Sequence, residues 1–174
     1  MIIPVMIFSL IAGTVIQSHV SGPAALGGAR IPLLLAVVLY YALTNNRGIM
    51  LLSAVLAGLL QDALSPIPPG YSAFCFAAVG MVANRYKDDL VGDSLLTTAI
   101  IGAAAGFIVS IGLSLLLWFN DLVKDPVWLW ALRATGTALL GTLFTPVVFV
   151  TVRSLDHLVG NTPSKRHPLE HEEI

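Results

Sequence analysis

The sequence predicts an all-α membrane protein, a bundle of six spanning helices, and three observations predict it. Hydrophobic residues make up 56% of the 174 and charged residues only 11%, against roughly 25% charged in an ordinary soluble domain. The apolar residues gather into six runs separated by short segments rich in Gly, Pro, Asn and Asp. The nine Lys and Arg are spread singly, with no basic face, and the formal net charge of −1 gives no reason to expect nucleic-acid binding.

In a bilayer the backbone must satisfy its own polar groups, so each apolar run is read as a helix, with about 20 residues needed for a full crossing. The first covers about Ile3 to Ser18; its start, Met1-Ile-Ile-Pro-Val-Met-Ile, lacks the basic region of a cleavable signal. A Gly22-Pro23 to Gly27-Gly28 loop carrying Arg30 follows. The second run, about Ile31 to Leu43, is short and ends at Tyr40-Tyr41 and the turn Thr44-Asn45-Asn46-Arg47, which suggests a tilted pair with the next helix. The third and fourth run from about Gly48 to Leu64 and from about Tyr71 to Asn84, joined by a proline-rich loop. The fifth spans about Ser94 to Phe119 and the sixth about Trp128 to Leu158. Residues 1–159 form one helical domain on this reading, and 160–174, too poor in apolar surface to fold alone, a disordered cytoplasmic tail. His167 and His171 have i,i+4 spacing, but Pro168 between them breaks the helix a zinc site would need.

Six spans place Arg47, Arg85, Lys87, Arg153, Lys165 and Arg166 on one side, and Arg30, Lys124 and Arg133 on the other. The positive-inside rule then puts both termini in the cytoplasm. All three tryptophans, Trp118, Trp128 and Trp130, fall on the outer side, where an aromatic belt belongs. Reading the first two runs as one bent re-entrant element lowers the count to five and removes this argument.

Asp62 is the residue that most needs explaining. It lies at the end of an apolar run, where both the bilayer and the negative end of its own helix dipole disfavour a carboxylate. Topology puts Arg133 and Arg30 on the same side of the membrane, so an Asp62–Arg133 ion pair is expected, with Arg30 the second choice; snorkelling of Asp62 into the headgroups is the plainer alternative. Two further patterns are packing seams. Thr98, Gly102, Gly106, Ser110 and Ser114 recur every four residues in the fifth run, and Arg133, Thr137, Gly141 and Thr145 do so in the sixth. Small residues at that spacing let helices approach closely. Ala73, Ala77, Gly80 and Asn84 continue the style in the fourth run.

Catalysis finds no support. The chain has no hydrolase elbow, no zinc-protease motif, no phosphate-binding loop and no Cys-His pair; His19 and His157 fall at opposite faces, and a single intramembrane carboxylate does not make a proton relay. No catalytic, cofactor or metal residues are assigned.

The stretch Asn46-Arg-Gly48, Ala57-Gly-Leu-Leu-Gln-Asp62-Ala-Leu-Ser65, a proline-rich loop, Gly70, and a helix ending in Ala83-Asn-Arg85 resembles the rod shape-determining protein MreD family, whose members carry a G-L-x-x-D signature before such a loop. The family's loop usually reads Ser-Gly-x-x-x-Gly; here Ser65-Pro-Ile-Pro-Pro-Gly70 has proline for the first glycine. The resemblance implies that Gly58, Leu59, Asp62 and Gly70 are structural signature residues. It also implies a non-catalytic inner-membrane scaffold of the bacterial cell-wall elongation complex, with MreC as partner and, through it, MreB, RodA and a penicillin-binding transpeptidase. The family is similar in turn to the substrate-binding subunits of energy-coupling-factor vitamin transporters, which supplies the rival function. The scaffold is favoured because polar candidates in the outer half are few (Gln17, Gln61, Asp62, Ser114 and Arg133), so that membrane lipid and partner helices, not a small-molecule substrate, are the expected contacts.

Overall fold

The computed structural model describes residues 2–19, 31–65, 68–87, 95–121 and 126–160. Arg30, Lys124 and the tail beyond Gly160, with His167 and His171, lie outside the described residues. Six helices run through the rest: α1 (Ile2–His19), α2 (Leu33–Thr44), α3 (Arg47–Ala63), α4 (Tyr71–Arg85), α5 (Leu95–Phe119) and α6 (Val127–Leu158). Pro32 and Pro126 stand immediately before α2 and α6, where a residue lacking an N–H leaves no helical bond unmade. Asn46 and Gly70 occupy the corresponding places before α3 and α4.

α1, α5 and α6 are long and apolar enough to cross a bilayer. They are also the helices that expose most apolar surface outward, among it Ile7, Phe8 and Ile11 of α1, Ile100 and Ile108 of α5, and Leu139, Leu143 and Val147 of α6. Side chains of this kind turned away from the core are what a lipid-facing surface requires.

α2 is the axis of the molecule. Every residue from Leu33 to Leu43 is buried, the mark of a helix that is apolar on all sides because it is covered on all sides. Its 12 residues rise only about 18 Å. A segment that short survives in a membrane protein when α1, α3, α4, α5 and α6 all pack around it, and they do. Met6 and Leu10 from α1, Met50, Ala54 and Ala57 from α3, Phe76 from α4, Val109 from α5 and Val152 from α6 close the core around it. The most extensive pairings between neighbouring helices are two hairpins, α3–α4 and α5–α6.

Helix directions alternate, so two ends can be named by their polar residues. At the Asp62 end lie the last turns of α1, α3 and α5 and the first turns of α2, α4 and α6. At the Asn84 end lie the opposite termini, with Tyr40, Arg47, Arg85 and Asp156.

Candidate functional site

The Asp62 end centres on the join between α3 and α4. Asp62 is 2% exposed, and each carboxylate oxygen accepts one backbone hydrogen bond: Gly70 N–H donates to Oδ2 at 2.6 Å and Ser72 N–H donates to Oδ1 at 3.1 Å. These are amides of the first turn of α4, which no helical carbonyl can satisfy. The carboxylate is disfavoured by the end of its own helix but sits at the positive end of the next one, and its hydrogen bonds to amides are strengthened by its charge. The arrangement is an N-cap supplied from a neighbouring helix.

This differs from the expected ion pair. Among the described residues the donors to Asp62 are these two amides, and Arg133 is not one of them. Lying on the same side of the membrane is not adjacency: α6, which carries Arg133, packs on α5, α2 and α1. The backbone of α4 also offers two donors without requiring a guanidinium to leave water. The second choice, Arg30, falls outside the described residues.

Two glycines make the capping geometry possible. A methyl group on Gly58 would overlap the backbone nitrogen and Cα of Ala73, so α3 and α4 touch backbone to backbone one turn before Asp62. Gly70 turns the chain into α4 with φ of +108°, a conformation side-chain-bearing residues reach only under strain. Ser65 N–H donates to Asp62 O and the Ser65 hydroxyl to Gln61 O, each at 2.9 Å, closing the end of α3. Leu59, the remaining signature residue, is 43% exposed and faces outward. Beside this join, Gln17 Nε2 of α1 donates to Gln61 Oε1 of α3 at 2.8 Å.

The seams of α5 and α6 face each other. A methyl group on Gly102 would strike the Thr145 side chain and lie 2.8 Å from Gly141 O; one on Gly141 would lie 2.6 Å from Gly102 O, and one on Gly106 3.0 Å from Thr137 O. The Thr137 hydroxyl donates within its own helix to Arg133 O at 2.8 Å, and Ser114 likewise to Ser110 O. Thr98, Ser110 and Arg133 are half-buried along the same helices. At the Asp62 end of this hairpin Trp118 stacks edge to face on Trp130, ring centres 6.3 Å apart.

The Asn84 end holds two contacts that sequence reasoning missed. Asn84 Nδ2 donates to Ala42 O at 2.6 Å and to Asn45 O at 3.1 Å, so a side chain of α4 caps the last carbonyls of α2. Asn84 reads in the sequence as one more small residue of the α4 stripe. Tyr40 Oη donates to Asp156 Oδ2 at 2.9 Å, tying α2 to α6, while the Tyr40 ring packs edge to face on Tyr41 and Phe149. Asp156, 5% exposed, is a second buried carboxylate near the end of an apolar helix. The signal that singles out Asp62 was therefore present at Asp156 as well.

Chemically, the Asp62, Gln17, Asn84 and Tyr40 side chains join helix to helix, while the Gln17 Oε1, Ser72 Oγ and Trp130 Nε1 atoms at the Asp62 end are buried without a hydrogen-bond partner among the described residues. Among the described residues no three metal-ligating side chains converge. Searches of curated proteins and of solved structures found no match. The family model described as rod shape-determining protein MreD matches residues 1–155, which takes in all six helices except the last turn of α6, and the chain belongs to that family.

Proposed function

We propose that this protein is a non-catalytic scaffold of the cell-wall elongation complex in the bacterial inner membrane, with both termini in the cytoplasm, acting in rod shape determination by binding MreC. Through MreC it joins MreB, RodA and a penicillin-binding transpeptidase. Membership of a shape-determining family gives the biological role its outline. The observation that carries the scaffold reading is the use made of the signature: Gly58, Asp62 and Gly70 join α3 to α4 through backbone contacts. They leave Leu59 and the outward faces of α3 and α4 as a fixed surface for a partner helix.

The rival reading, a substrate-binding subunit of a vitamin transporter, calls for several polar groups directed into a pre-formed outer pocket. At the Asp62 end, the Asp62 carboxylate is bonded to the α4 backbone and Gln17 Nε2 to Gln61, which favours the scaffold; the buried Gln17 Oε1, Ser72 Oγ and Trp130 Nε1, without partners among the described residues, are the groups the rival reading would call on.

The test is replacement of the chromosomal copy by Asp62→Asn and Asp62→Ala, followed by purification from native membranes and mass spectrometry of the co-purifying proteins. Reduced MreC recovery and rounder cells at normal levels of the membrane-inserted protein are expected, stronger for Ala than for Asn. Normal shape and normal MreC recovery with Asp62→Ala would remove the signature from the reading. Recovery of a stoichiometric vitamin together with an ATPase pair would replace the scaffold by the transporter.

A further inference from the structure

The two hairpins present very different apolar heights to their surroundings. α3 and α4 have 17 and 15 residues, a rise of about 26 and 23 Å at roughly 1.5 Å per residue. Their outward apolar side chains cover less than that. On α3 they run from Leu51 through Leu52 and Val55 to Leu59, and on α4 from Phe74 to Met81 and Val82. With Tyr86, also exposed just past the end of α4, the sets span eight and twelve residue steps, about 12 and 18 Å. Polar or helix-breaking residues close both ends: Asn46, Arg47 and Arg85 are exposed at one, and Pro68, Pro69 and Gly70 follow the buried Asp62 at the other.

The α5–α6 hairpin is taller. Exposed apolar residues extend from Leu95 and Leu96 to Phe119 on α5 and from Val127 to Leu158 on α6. These are 24 and 31 steps, about 36 and 46 Å along the helix axes, enough to cross a hydrocarbon core of about 30 Å even when tilted. The short α2 does not enter the comparison because the other helices cover it.

We propose that the protein thins the bilayer on one flank: lipid chains that meet α3 and α4 are compressed, while those that meet α5 and α6 keep their full length. A membrane helix shorter than the hydrocarbon core is accommodated by thinning, by snorkelling of flanking residues or by oligomerisation. Arg47 and Arg85 are placed to snorkel at the Asn84 end. Among the described residues the α3–α4 join at the other end carries no Lys or Arg; Gln61, Ser65, Pro68, Pro69, Gly70 and the half-buried Tyr71 stand there, none with a stem as long as that of Arg47 or Arg85. The lipid therefore comes down to meet the protein there. A thinned flank also draws in neighbours whose own spans are short, since they share the cost of the deformation. This is a property of the helix lengths and does not rest on the scaffold reading.

The experiment uses the full chain in phosphatidylcholine vesicles, with brominated lipids of increasing chain length as quenchers. In a background with Trp118, Trp128 and Trp130 changed to Phe, one variant carries Val55→Trp on α3 and another Val147→Trp on α6, both outward-facing positions. The Val55→Trp reporter is expected to prefer the shortest chains over the longest by roughly threefold, and the Val147→Trp reporter to show the reverse. If the Trp-free background does not fold, Val55→Cys and Val147→Cys labelled with bimane, in a Cys75→Ala background, report the same ratio. The same chain-length optimum at both positions overturns the proposal. So does an unquenched α3 reporter at every chain length, the result expected if a second helix covers that face.

Discussion

The α3–α4 and α5–α6 hairpins solve the same problem, holding two helices together where water cannot help, by different means. In α3–α4 the backbone contact and the polar bonds are concentrated at one end, while side chains such as Met50 against Gly80 pack the other. Gly58 admits the Ala73 backbone, Asp62 takes two amides of the next helix, and Gly70 makes the turn. In α5–α6 the join is spread over the small residues Gly102, Gly106, Thr137, Gly141 and Thr145, and the Thr137 hydroxyl is satisfied within its own helix. The first arrangement fixes the geometry of a short hairpin with few residues, each of which does something its neighbours cannot replace. The second distributes dispersion contacts along a long interface, where a loss at one level is shared by the others.

That difference predicts how each hairpin fails. Gly58→Ala carries the largest expected effect, about 3 kcal/mol of lost stability, because the added methyl meets backbone atoms that have nowhere to move. Ala73→Gly does not relieve it, since the Cα and nitrogen of residue 73 remain. Gly102→Ala meets the Thr145 side chain first, so Thr145→Gly restores part of the loss, with a favourable coupling of about 1 kcal/mol in a double-mutant cycle. Unfolding in detergent by titration with SDS measures the four single variants and the two doubles. Equal coupling in the two pairs would erase the distinction between a backbone contact and a side-chain seam.

Asp62 gives the next effect. Asp62→Ala leaves the Gly70 and Ser72 amides without an acceptor in apolar surroundings, a loss of about 2–3 kcal/mol. Asp62→Asn keeps one acceptor oxygen, and about half of that loss is expected. Thermal unfolding of the two variants in the same detergent checks the order. If Asn were as damaging as Ala, the negative charge at the α4 N-terminus would matter more than the hydrogen bonds.

How much of this was legible in the sequence follows from what kind of partner each residue has. The helices and the two small-residue stripes are periodic within single segments, so the letters show them directly. Gly58, Asp62 and Gly70 stand out because a glycine or a carboxylate in an apolar run is anomalous on its own. The partner of Asp62 was not legible, because opposite charges attract attention while a backbone amide has no letter: every residue except proline carries one. Asn84 escaped notice for the same reason, its partners being the carbonyls of Ala42 and Asn45. The central place of α2 was half visible. Its uniform apolar composition announces burial, but only the tertiary packing says that five helices provide it.

The smallest effect tests whether the concentrated join extends beyond its own hairpin. Gln17 of α1 reaches Gln61 of α3 one residue before Asp62, so α1 is bonded to the same end that the signature organises. Hydrogen bonds between side chains of membrane helices are weak on average, about 0.6 kcal/mol in double-mutant cycles. A Gln17→Leu and Gln61→Leu cycle in the wild-type background is expected to give a coupling of that size. In an Asp62→Ala background the α3 end loses its bonds to α4, Gln61 is no longer held in one place, and the coupling should fall toward zero. A coupling unchanged by Asp62→Ala would mean that α1 and α3 are held together independently, confining the signature's influence to the hairpin it closes.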